Sequence, residues 1–362
     1  MRIRFALHPV PHTGPSRTGS SFLLALLLIT SGLFVSCTED EPGDNNQQQN
    51  TAAQSPPATV DTTGLPSFSG QSAYDYVAKQ VALGPRNPGS AGAKKAIAFY
   101  MEEFGKYADN VEAQEFTHMG YEGEKLNLTN IFASFNPNSG TRILLCAHWD
   151  SRPRADWDPD STKHDIAIPA ANDGGSGAGV LLELARMFKE NPPPVGVDIV
   201  LFDGEDYGDT RIDNVEQYFL GARYFSRNIP TGYRPAFGIL LDLVGDRDAE
   251  FAKEGISMQY ASGYVNALWH AAQQMGLTRF KQRMGSPIQD DHMILNEIAH
   301  IPTLDIIDAD LVGHKSSDPR RKYWHTHKDD MENISAATLE EVGKLLVYTV
   351  YRWLPEQVKL AS

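Results

Sequence analysis

The sequence predicts an α/β protein: a single domain with a central, mostly parallel mixed β-sheet and helices on both faces. Two observations predict this fold class. From about residue 66, segments with helical hydrophobic spacing alternate with short apolar runs. Runs such as 143–148 and 197–202 are continuously apolar, which is typical of strands buried on both faces of a sheet. In such a sheet, functional side chains lie at the carboxyl ends of the strands.

The individual elements follow from spacing and from punctuation residues. The segment 90–106 opens on Ser90, a good helix N-cap, and the segment 177–190 stops at Asn191-Pro192. The predicted helices are 72–83, 90–106, 177–190, 265–275, 292–298 and 336–354. The predicted strands are 111–117, 126–136, 143–148, 197–202, 237–244 and 302–307.

The composition is that of an ordinary globular protein, with 41% hydrophobic and 22% charged residues in 362. The formal net charge of -14 argues against a nucleic-acid partner, because phosphate binding needs a basic surface. The two cysteines, Cys37 and Cys146, do not indicate a disulfide framework. Cys146 lies in an apolar run and is predicted to be a small buried residue. The sequence does not fix the oligomeric state, although a monomer is favoured.

The N-terminus is predicted to be a targeting segment. Three arginines precede an apolar run, 22–35, of about 14 residues, which is shorter than the ~20 of a membrane span and fits a signal-peptide core. The run ends Leu33-Phe34-Val35-Ser36-Cys37, which resembles a bacterial lipobox, in which the cysteine becomes the lipidated first residue. An ordinary signal peptide with a chance cysteine is the alternative.

The lipobox interpretation divides the chain into three parts. Residues 1–36 would be a lipoprotein signal peptide, and residues 37–65, which are poor in apolar side chains, a disordered tether. Residues 66–362 would form the folded domain. The protein would then be anchored by lipid to a membrane in the envelope of a Gram-negative-type bacterium, in the periplasm or at the outer membrane.

Each apolar strand runs directly into acidic residues or histidines. These residues are His148, Asp150, Asp203, Glu205, Asp206, Asp242, Asp305 and Asp308. A glycine-rich turn adds Asp173, and His325 lies near the C-terminus. A single aspartate at a strand end is more often a helix cap or a solvated loop residue, but clustered carboxylates repel unless a cation neutralises them. Oxygen and nitrogen ligands without thiolates suit zinc in an open, catalytic site.

Ordered motifs across residues 66–358 resemble the M28 metallopeptidase superfamily and, within it, the animal-type glutaminyl cyclases. The motifs are Gly84-Pro85-Arg86-Asn87-Pro88-Gly89-Ser90, His148-Trp149-Asp150-Ser151, Asn172-Asp173-Gly174, Asp203-Gly204-Glu205-Asp206, Leu241-Asp242, Asp290-Asp291-His292 and Trp324-His325-Thr326. The resemblance implies the phosphorylase/hydrolase-like fold of the zinc aminopeptidases. It also implies a catalytic domain at 66–362.

The resemblance implies different metal contents for its two branches. The aminopeptidases bind two zinc ions, and their ligands correspond to His148, Asp173, Asp206, Asp242 and His325. The cyclases share this fold but use one catalytic zinc, whose ligands correspond to Asp173, Asp206 and His325. Glu205 corresponds to the catalytic base in both branches.

Further residues match the cyclase branch. Asp290 corresponds to a carboxylate that shares a hydrogen-bond network with Asp242 and Glu205. Trp324 corresponds to a tryptophan that walls the substrate pocket, although a plain core position is the alternative; Tyr207 and Trp149 are further candidates for the wall.

One position departs from the family pattern. The ligand after Glu205 is usually a glutamate, and here it is Asp206, whose side chain is shorter by one methylene. A carboxylate is retained, so zinc binding is expected, but Glu205 could be the ligand instead of Asp206.

The cyclase resemblance implies zinc-dependent cyclisation of an N-terminal glutamine to pyroglutamate, with release of ammonia. The substrate would be a peptide or protein that begins with glutamine. A di-zinc aminopeptidase is the alternative enzyme. A non-catalytic binding module of the same fold is the third possibility, and it predicts damaged ligand positions, which this chain does not have.

Overall fold

The structure, a computed structural model, describes residues 60–212 and 214–361. The predicted signal peptide, Cys37 and most of the predicted tether lie outside the described residues. Within those residues, no helix is both long and apolar enough to cross a bilayer.

The central sheet has six strands and is mostly parallel. Its strands are β1 (Asn110–Met119), β2 (Lys125–Phe135), β3 (Arg142–His148), β4 (Gly196–Phe202), β5 (Gly238–Asp242) and β8 (Thr303–Ile307). Their order across the sheet is β1-β2-β4-β3-β5-β8. The four strands from β4 to β8 are parallel, whereas β2 is antiparallel to β4, and β1 to β2. A separate parallel pair, β6 (Phe251–Lys253) and β7 (Phe280–Met284), forms a small second sheet.

Helices cover both faces of the sheet, as predicted. The α-helices are α1 (Gly70–Ala82), α2 (Ala91–Tyr107), α3 (Gly175–Glu190), α4 (Leu220–Arg227), α5 (Gly255–Tyr260), α6 (Ser262–Gln274), α7 (Asp291–Glu297), α8 (Ala336–Tyr348) and α9 (Leu354–Ala361). Successive side chains of a strand point to opposite faces. Accordingly, Leu145 of β3 packs in the core with α1, α2, α3, α6 and α8, whereas Leu144 and the buried Cys146 pack with α4 and α7.

Close packing of α3 against the sheet brings the metal-binding candidates together. A Cβ atom on Gly177 would lie 2.3 Å from the carbonyl oxygen of Leu241 and 2.9 Å from the Cβ of Ala147. Glycine is therefore required for α3 to begin directly against β3 and β5. This contact places the turn that carries Asp173 next to the carboxyl ends of both strands.

Several boundaries differ from the predicted ones. Strand β5 ends at Asp242 and not at residue 244, because Leu243 has a left-handed backbone with φ of 50°. Helix α8 continues through a π-helical turn, Thr349–Trp353, into α9. Four short elements, α4, α5, β6 and β7, were not predicted, because each is too short for its hydrophobic period to be recognised.

Candidate active site

The carboxyl edge of the sheet collects the predicted site residues from separate elements. His148 is the last residue of β3, and Asp242 is the last residue of β5. Glu205 and Asp206 follow β4 across a turn in which Gly204 has a φ of 72°. The turn before α3 supplies Asp173, and a loop ahead of α8 supplies His325.

Asp173, Asp206 and His325 form a buried group whose ligand atoms lie within 4.8 Å of one another. The Nε2 atom of His325 is 3.4 Å from Asp173 Oδ2 and 3.3 Å from Asp206 Oδ2. Both of these Oδ2 atoms are buried without a hydrogen-bond partner. Buried carboxylate oxygens that face an imidazole nitrogen and lack donors fit a metal position, and the N/O/O donor set suits zinc.

His148, Asp173 and Asp242 form a second group whose ligand atoms lie within 4.8 Å of one another. The Nε2 atom of His148 lies 3.1 Å from Asp173 Oδ1 and 3.3 Å from Asp242 Oδ1. Asp173 therefore belongs to both groups, with one oxygen facing each. The five positions that correspond to a two-metal site are all brought together in this chain.

The structure places Asp206, and not Glu205, with Asp173 and His325. The Asp206 carboxylate accepts a 2.6 Å bond from Arg152 through Oδ1, which leaves Oδ2 facing His325. Glu205 Oε2 instead lies 3.8 Å from His148 Nδ1. The shorter Asp206 side chain thus still faces Asp173 and His325, and Glu205 lies outside this group.

Four residues to which the sequence analysis gave no role hold this site in place; Asp150, Arg152 and Asp329 are buried, and Asp156 is partly buried. Asp150 accepts the backbone N–H groups of Glu205 and Asp206 at 3.1 and 3.3 Å. Arg152 pairs with Asp206 and also with Asp156, which lies 3.6 Å from His325 Nδ1.

Asp329 performs the same task for the α3 turn, since it accepts the backbone N–H groups of Asn172 and Asp173 at 2.8 and 3.0 Å. Asp150 and Arg152 lie within four residues of His148 in the chain, so their position could have indicated a role at this site. Asp329 carried no signal, because its partners are more than 150 residues away in the chain.

The electrostatics of the site are dominated by buried carboxylates. Burial raises the pKa of Glu205 well above its usual range; His148 opposes the rise and the Asp206 carboxylate adds to it. Burial likewise raises the pKa of Asp290, and the neighbouring Asp242 carboxylate adds to that rise. Burial lowers the pKa of His325, but the carboxylate of Asp206 and its other acidic neighbours outweigh it and raise the pKa to about 10. The clustered carboxylates make the site negatively charged, so it stabilises a cation, either a proton or a metal ion.

These groups open into one cavity of about 710 Å³. Its lining includes Asp173, Glu205, Asp206, Asp242, Asp290, Trp324 and His325. The Trp324 ring stacks on the His325 ring, with centroids 3.4 Å apart, so that it forms an apolar wall beside the metal position. The volume is typical of a pocket for a small ligand.

Comparison with known proteins identifies the family of this chain. The family model described as peptidase family M28 matches residues 130–350. The chain belongs to peptidase family M28.

Solved structures similar to this chain include a glutaminyl cyclase and a Zn-dependent exopeptidase. Glutaminyl cyclase from Tannerella forsythia is 41% identical, with 79% of this chain and 99% of that chain covered and a TM-score of 0.75. A Zn-dependent exopeptidase from Parabacteroides distasonis is 39% identical, with 80% and 99% covered and the same TM-score of 0.75. Among curated proteins, glutaminyl-peptide cyclotransferase from Bos taurus is 25% identical over 74% of this chain and 78% of its own length.

Two residues expected to wall the pocket of this M28 protein lie elsewhere. Trp149 is fully buried in the main core, where its ring packs against Tyr100 and its Nε1 donates to the carbonyl oxygen of Thr129. Tyr207 packs in a separate apolar cluster, and its hydroxyl contacts Glu124. Both expectations were wrong because an aromatic residue beside a functional motif can face either the pocket or the core, and sequence spacing does not distinguish the two.

Proposed function

We propose that this protein is a zinc-dependent glutaminyl cyclase that converts an N-terminal glutamine of peptides or proteins to pyroglutamate and releases ammonia. One observation carries the proposal. The cavity that is lined by the candidate zinc ligands Asp173, Asp206 and His325 is also lined by three further carboxyl groups, those of Glu205, Asp242 and Asp290. The similarity to solved glutaminyl cyclases supports the same activity.

The residues of the cavity are suited to each part of this reaction. A zinc ion held by Asp173, Asp206 and His325 would supply Lewis-acid polarisation of the glutamine side-chain carbonyl. Glu205 accepts a proton from the substrate α-amino group, whose nitrogen forms a bond to the side-chain amide carbon. Glu205 then returns that proton to the amide nitrogen as its bond to the carbon breaks and ammonia leaves.

Asp242 and Asp290 assist by sharing a proton. Burial raises the pKa of both carboxyl groups, and neighbouring carboxylates that cannot both ionise retain one proton between them. The pair therefore presents both a donor and an acceptor to the substrate amine and to Glu205. Trp324 shields the reacting atoms from water on the side of His325.

The deciding experiment compares two peptides that differ only in their first residue, glutamine or alanine. After incubation with the purified protein, mass spectrometry should show loss of ammonia from the glutamine peptide and no change in the alanine peptide. Release of the first residue from either peptide would instead identify an aminopeptidase.

The role of Glu205 has its own test. Glu205→Gln preserves the shape of the side chain but cannot accept the proton, so kcat should fall by about 10²–10⁴-fold while bound zinc is retained. Glu102→Gln, on the exposed surface of α2, is the matched control and should keep full activity. Undiminished turnover by Glu205→Gln would refute the assigned role.

The aminopeptidase remains the second candidate, and one observation favours it. The group His148, Asp173 and Asp242 is intact and shares Asp173 with the first group, as a two-metal site requires. We propose one zinc at this edge of the sheet for the cyclase. Zinc analysis that assigns a second ion to His148 and Asp242, together with release of N-terminal residues, would favour the peptidase.

We also propose that residues 1–36 direct export and that Cys37 anchors the protein in a membrane of the cell envelope. The lipobox-like sequence before Cys37 supports this proposal. Metabolic labelling with a radioactive fatty acid should label the wild-type chain and should fail to label Cys37→Ser. Equal labelling of both chains, or of neither, would contradict it.

A further inference from the structure

The cavity at the sheet edge has more room than one glutamine residue needs. Its volume of about 710 Å³ lies within the range of pockets that hold a drug-sized ligand. The proposed function places the substrate α-amino group against Glu205, Asp242 and Asp290, and the side-chain carbonyl against the candidate zinc ligands. The remaining substituent of the α-carbon is the main-chain carbonyl, to which the rest of the peptide is attached. That carbonyl therefore points away from both groups, towards the opening of the cavity.

Three exposed side chains form the rim of this opening. Ile212 and Val215, which lie between β4 and α4, line the cavity and are each 43% exposed. Lys315, in the loop between β8 and α8, also lines the cavity and is exposed. The residue that follows the glutamine in a peptide substrate therefore lies at the rim that Ile212, Val215 and Lys315 form.

Lys315 brings a positive charge to a lining that is otherwise acidic. Within the described part of the chain, it is the one lysine or arginine that lines the cavity, beside five aspartate or glutamate side chains. No carboxylate oxygen of the described residues lies within 4.0 Å of its ammonium group. A lysine side chain is flexible, so this ammonium group can turn to an anion at the rim without breaking an existing ion pair.

A second substrate residue that carries a carboxylate experiences two opposing forces at the rim. The carboxylates of the cavity repel it, whereas the ammonium group of Lys315 attracts it. Asp173, Asp206 and Asp290 are each 3% exposed and lie deeper than the exposed Lys315. Salt screens charges over about 8–10 Å, so the nearer charge dominates at the rim. Lys315 thereby decides whether an acidic second residue is accepted.

We propose that Lys315 is a specificity-determining residue that pairs with a carboxylate on the residue after the N-terminal glutamine. This carboxylate is either the side chain of an aspartate or glutamate or the C-terminal carboxylate of a dipeptide. Ile212 and Val215 supply apolar contact for the methylene groups of the same residue. An exposed ion pair of this kind favours the charged substrate by about two- to five-fold. The inference rests on the proposed cyclase function.

The first test compares two amidated peptides, Gln-Glu-Ala and Gln-Gln-Ala, whose second residues have the same shape and differ in charge. The measured quantity is the ratio of their kcat/KM values for cyclisation, in the wild type and in Lys315→Met. The ratio of the wild type should exceed that of Lys315→Met by about two- to five-fold. The difference should lie mainly in KM, because the ion pair is present in the bound substrate as well as in the transition state.

A second pair of peptides distinguishes the two sources of the carboxylate. Gln-Ala with a free C-terminus and amidated Gln-Ala differ only in the terminal charge, so their ratio reports on the C-terminal carboxylate of a dipeptide. Dependence of either ratio on Lys315 supports the inference and identifies the source. Lys315→Glu should lower that ratio below the value of Lys315→Met, because the reversed charge repels the carboxylate.

Lys322→Met is the matched control, because Lys322 is an exposed lysine of the same loop that does not line the cavity. It should keep the ratios of the wild type. At about 1 M NaCl, where the Debye length is about 3 Å, the wild-type ratio should fall towards that of Lys315→Met. The inference is overturned if Lys315→Met leaves the ratios of both peptide pairs unchanged. A wild type that cyclises none of the four peptides would instead overturn the proposed function, and the inference with it.

Discussion

At the scale of single residues, the site depends on side chains that hold ligands without touching the substrate cavity. Asp150 is the clearest case, because its two oxygens accept the backbone N–H groups of Glu205 and Asp206. One aspartate thereby fixes the direction of both the proposed base and a proposed metal ligand.

We therefore expect Asp150→Asn to weaken zinc binding and to lower kcat, each by about 10–100-fold, because an amide presents an N–H₂ group where one acceptor is needed. Zinc affinity, measured by competition with a chelator, and peptide cyclisation check this expectation. Asp165→Asn, at an exposed position, is the control. Normal zinc affinity in Asp150→Asn would show that the loop is held by other contacts.

Gly174 is the residue that allows the Asp173 turn to approach β3. It has a φ of 79°, and an added Cβ would lie 2.7 Å from His148 Cε1 and 2.8 Å from the carbonyl oxygen of Asp150. Replacing Gly174 by a residue with a Cβ therefore destabilises the protein in two ways. An L-residue in the left-handed conformation costs about 1–2 kcal/mol, and the new Cβ displaces His148.

Gly174→Ala should lose activity and unfold at a lower temperature than Gly123→Ala. Gly123 has a φ of 83° but open space around it, so its substitution carries the backbone cost alone. Thermal unfolding and the cyclisation assay compare the two variants. Equal effects would mean that the contact with His148 relaxes without cost.

At the scale of elements, short helices are positioned by side chains from outside the usual capping set. Helix α5 is capped at its N-terminus by Glu254, whose carboxylate accepts the N–H groups of Ile256 and Ser257 as well as that of Ile288. Burial alone would raise the pKa of Glu254, but its bonds to His292 and to these N–H groups lower it from 4.5 to about 2. The folded state therefore favours the ionised form.

This shift predicts a pH dependence with a definite sign. Because the pKa of Glu254 is depressed on folding, its contribution to stability is complete above pH 4.5 and is lost as the pH falls towards about 2. Glu254→Gln should lower the free energy of unfolding at neutral pH by about 1–2 kcal/mol. Below pH 4.5, the free energy of unfolding of this variant should fall less steeply with decreasing pH than that of the wild type. Denaturant titrations at several pH values measure both effects, with the exposed Glu332→Gln as control. Parallel pH curves for Glu254→Gln and the wild type would contradict the prediction.

At the scale of the whole molecule, the metal site joins segments that are distant in the chain. The Asp173, Asp206 and His325 group links the α3 turn, the loop after β4 and the loop before α8. A ligand that binds the folded state but not the unfolded state stabilises the protein, and the gain depends on the ratio of ligand concentration to Kd.

Zinc removal by a chelator should therefore lower the melting temperature, and zinc at about 100 times its Kd should restore about 2.7 kcal/mol of stability. Magnesium, which does not favour imidazole ligands, is the control cation and should restore little. Calorimetry with and without each ion measures the difference. The prediction fails if the chelator leaves the melting temperature unchanged.

The sequence alone predicted the long elements and the residues at their ends. Strands β3 and β4 are continuous apolar runs because both of their faces are buried, and such runs have a distinct signature. Helix α4 gave no such signal, since it begins after Phe219 in a left-handed conformation and has no side-chain cap. The pocket wall was predicted in part: Trp324 lines the cavity, whereas Trp149 and Tyr207 do not.

What the sequence determined by itself was the α/β class, the edge of the sheet that carries the acids and histidines, and the resemblance to M28 enzymes. Periodicity and residue order are local properties, so they can be read along the chain. The tertiary structure decided that Asp206, and not Glu205, faces Asp173 and His325, that Asp150, Arg152 and Asp329 bond to the segments that carry these residues, and that Asp290, His292 and Asp305 meet. Those facts depend on side-chain direction and on contacts between distant segments, which packing alone fixes.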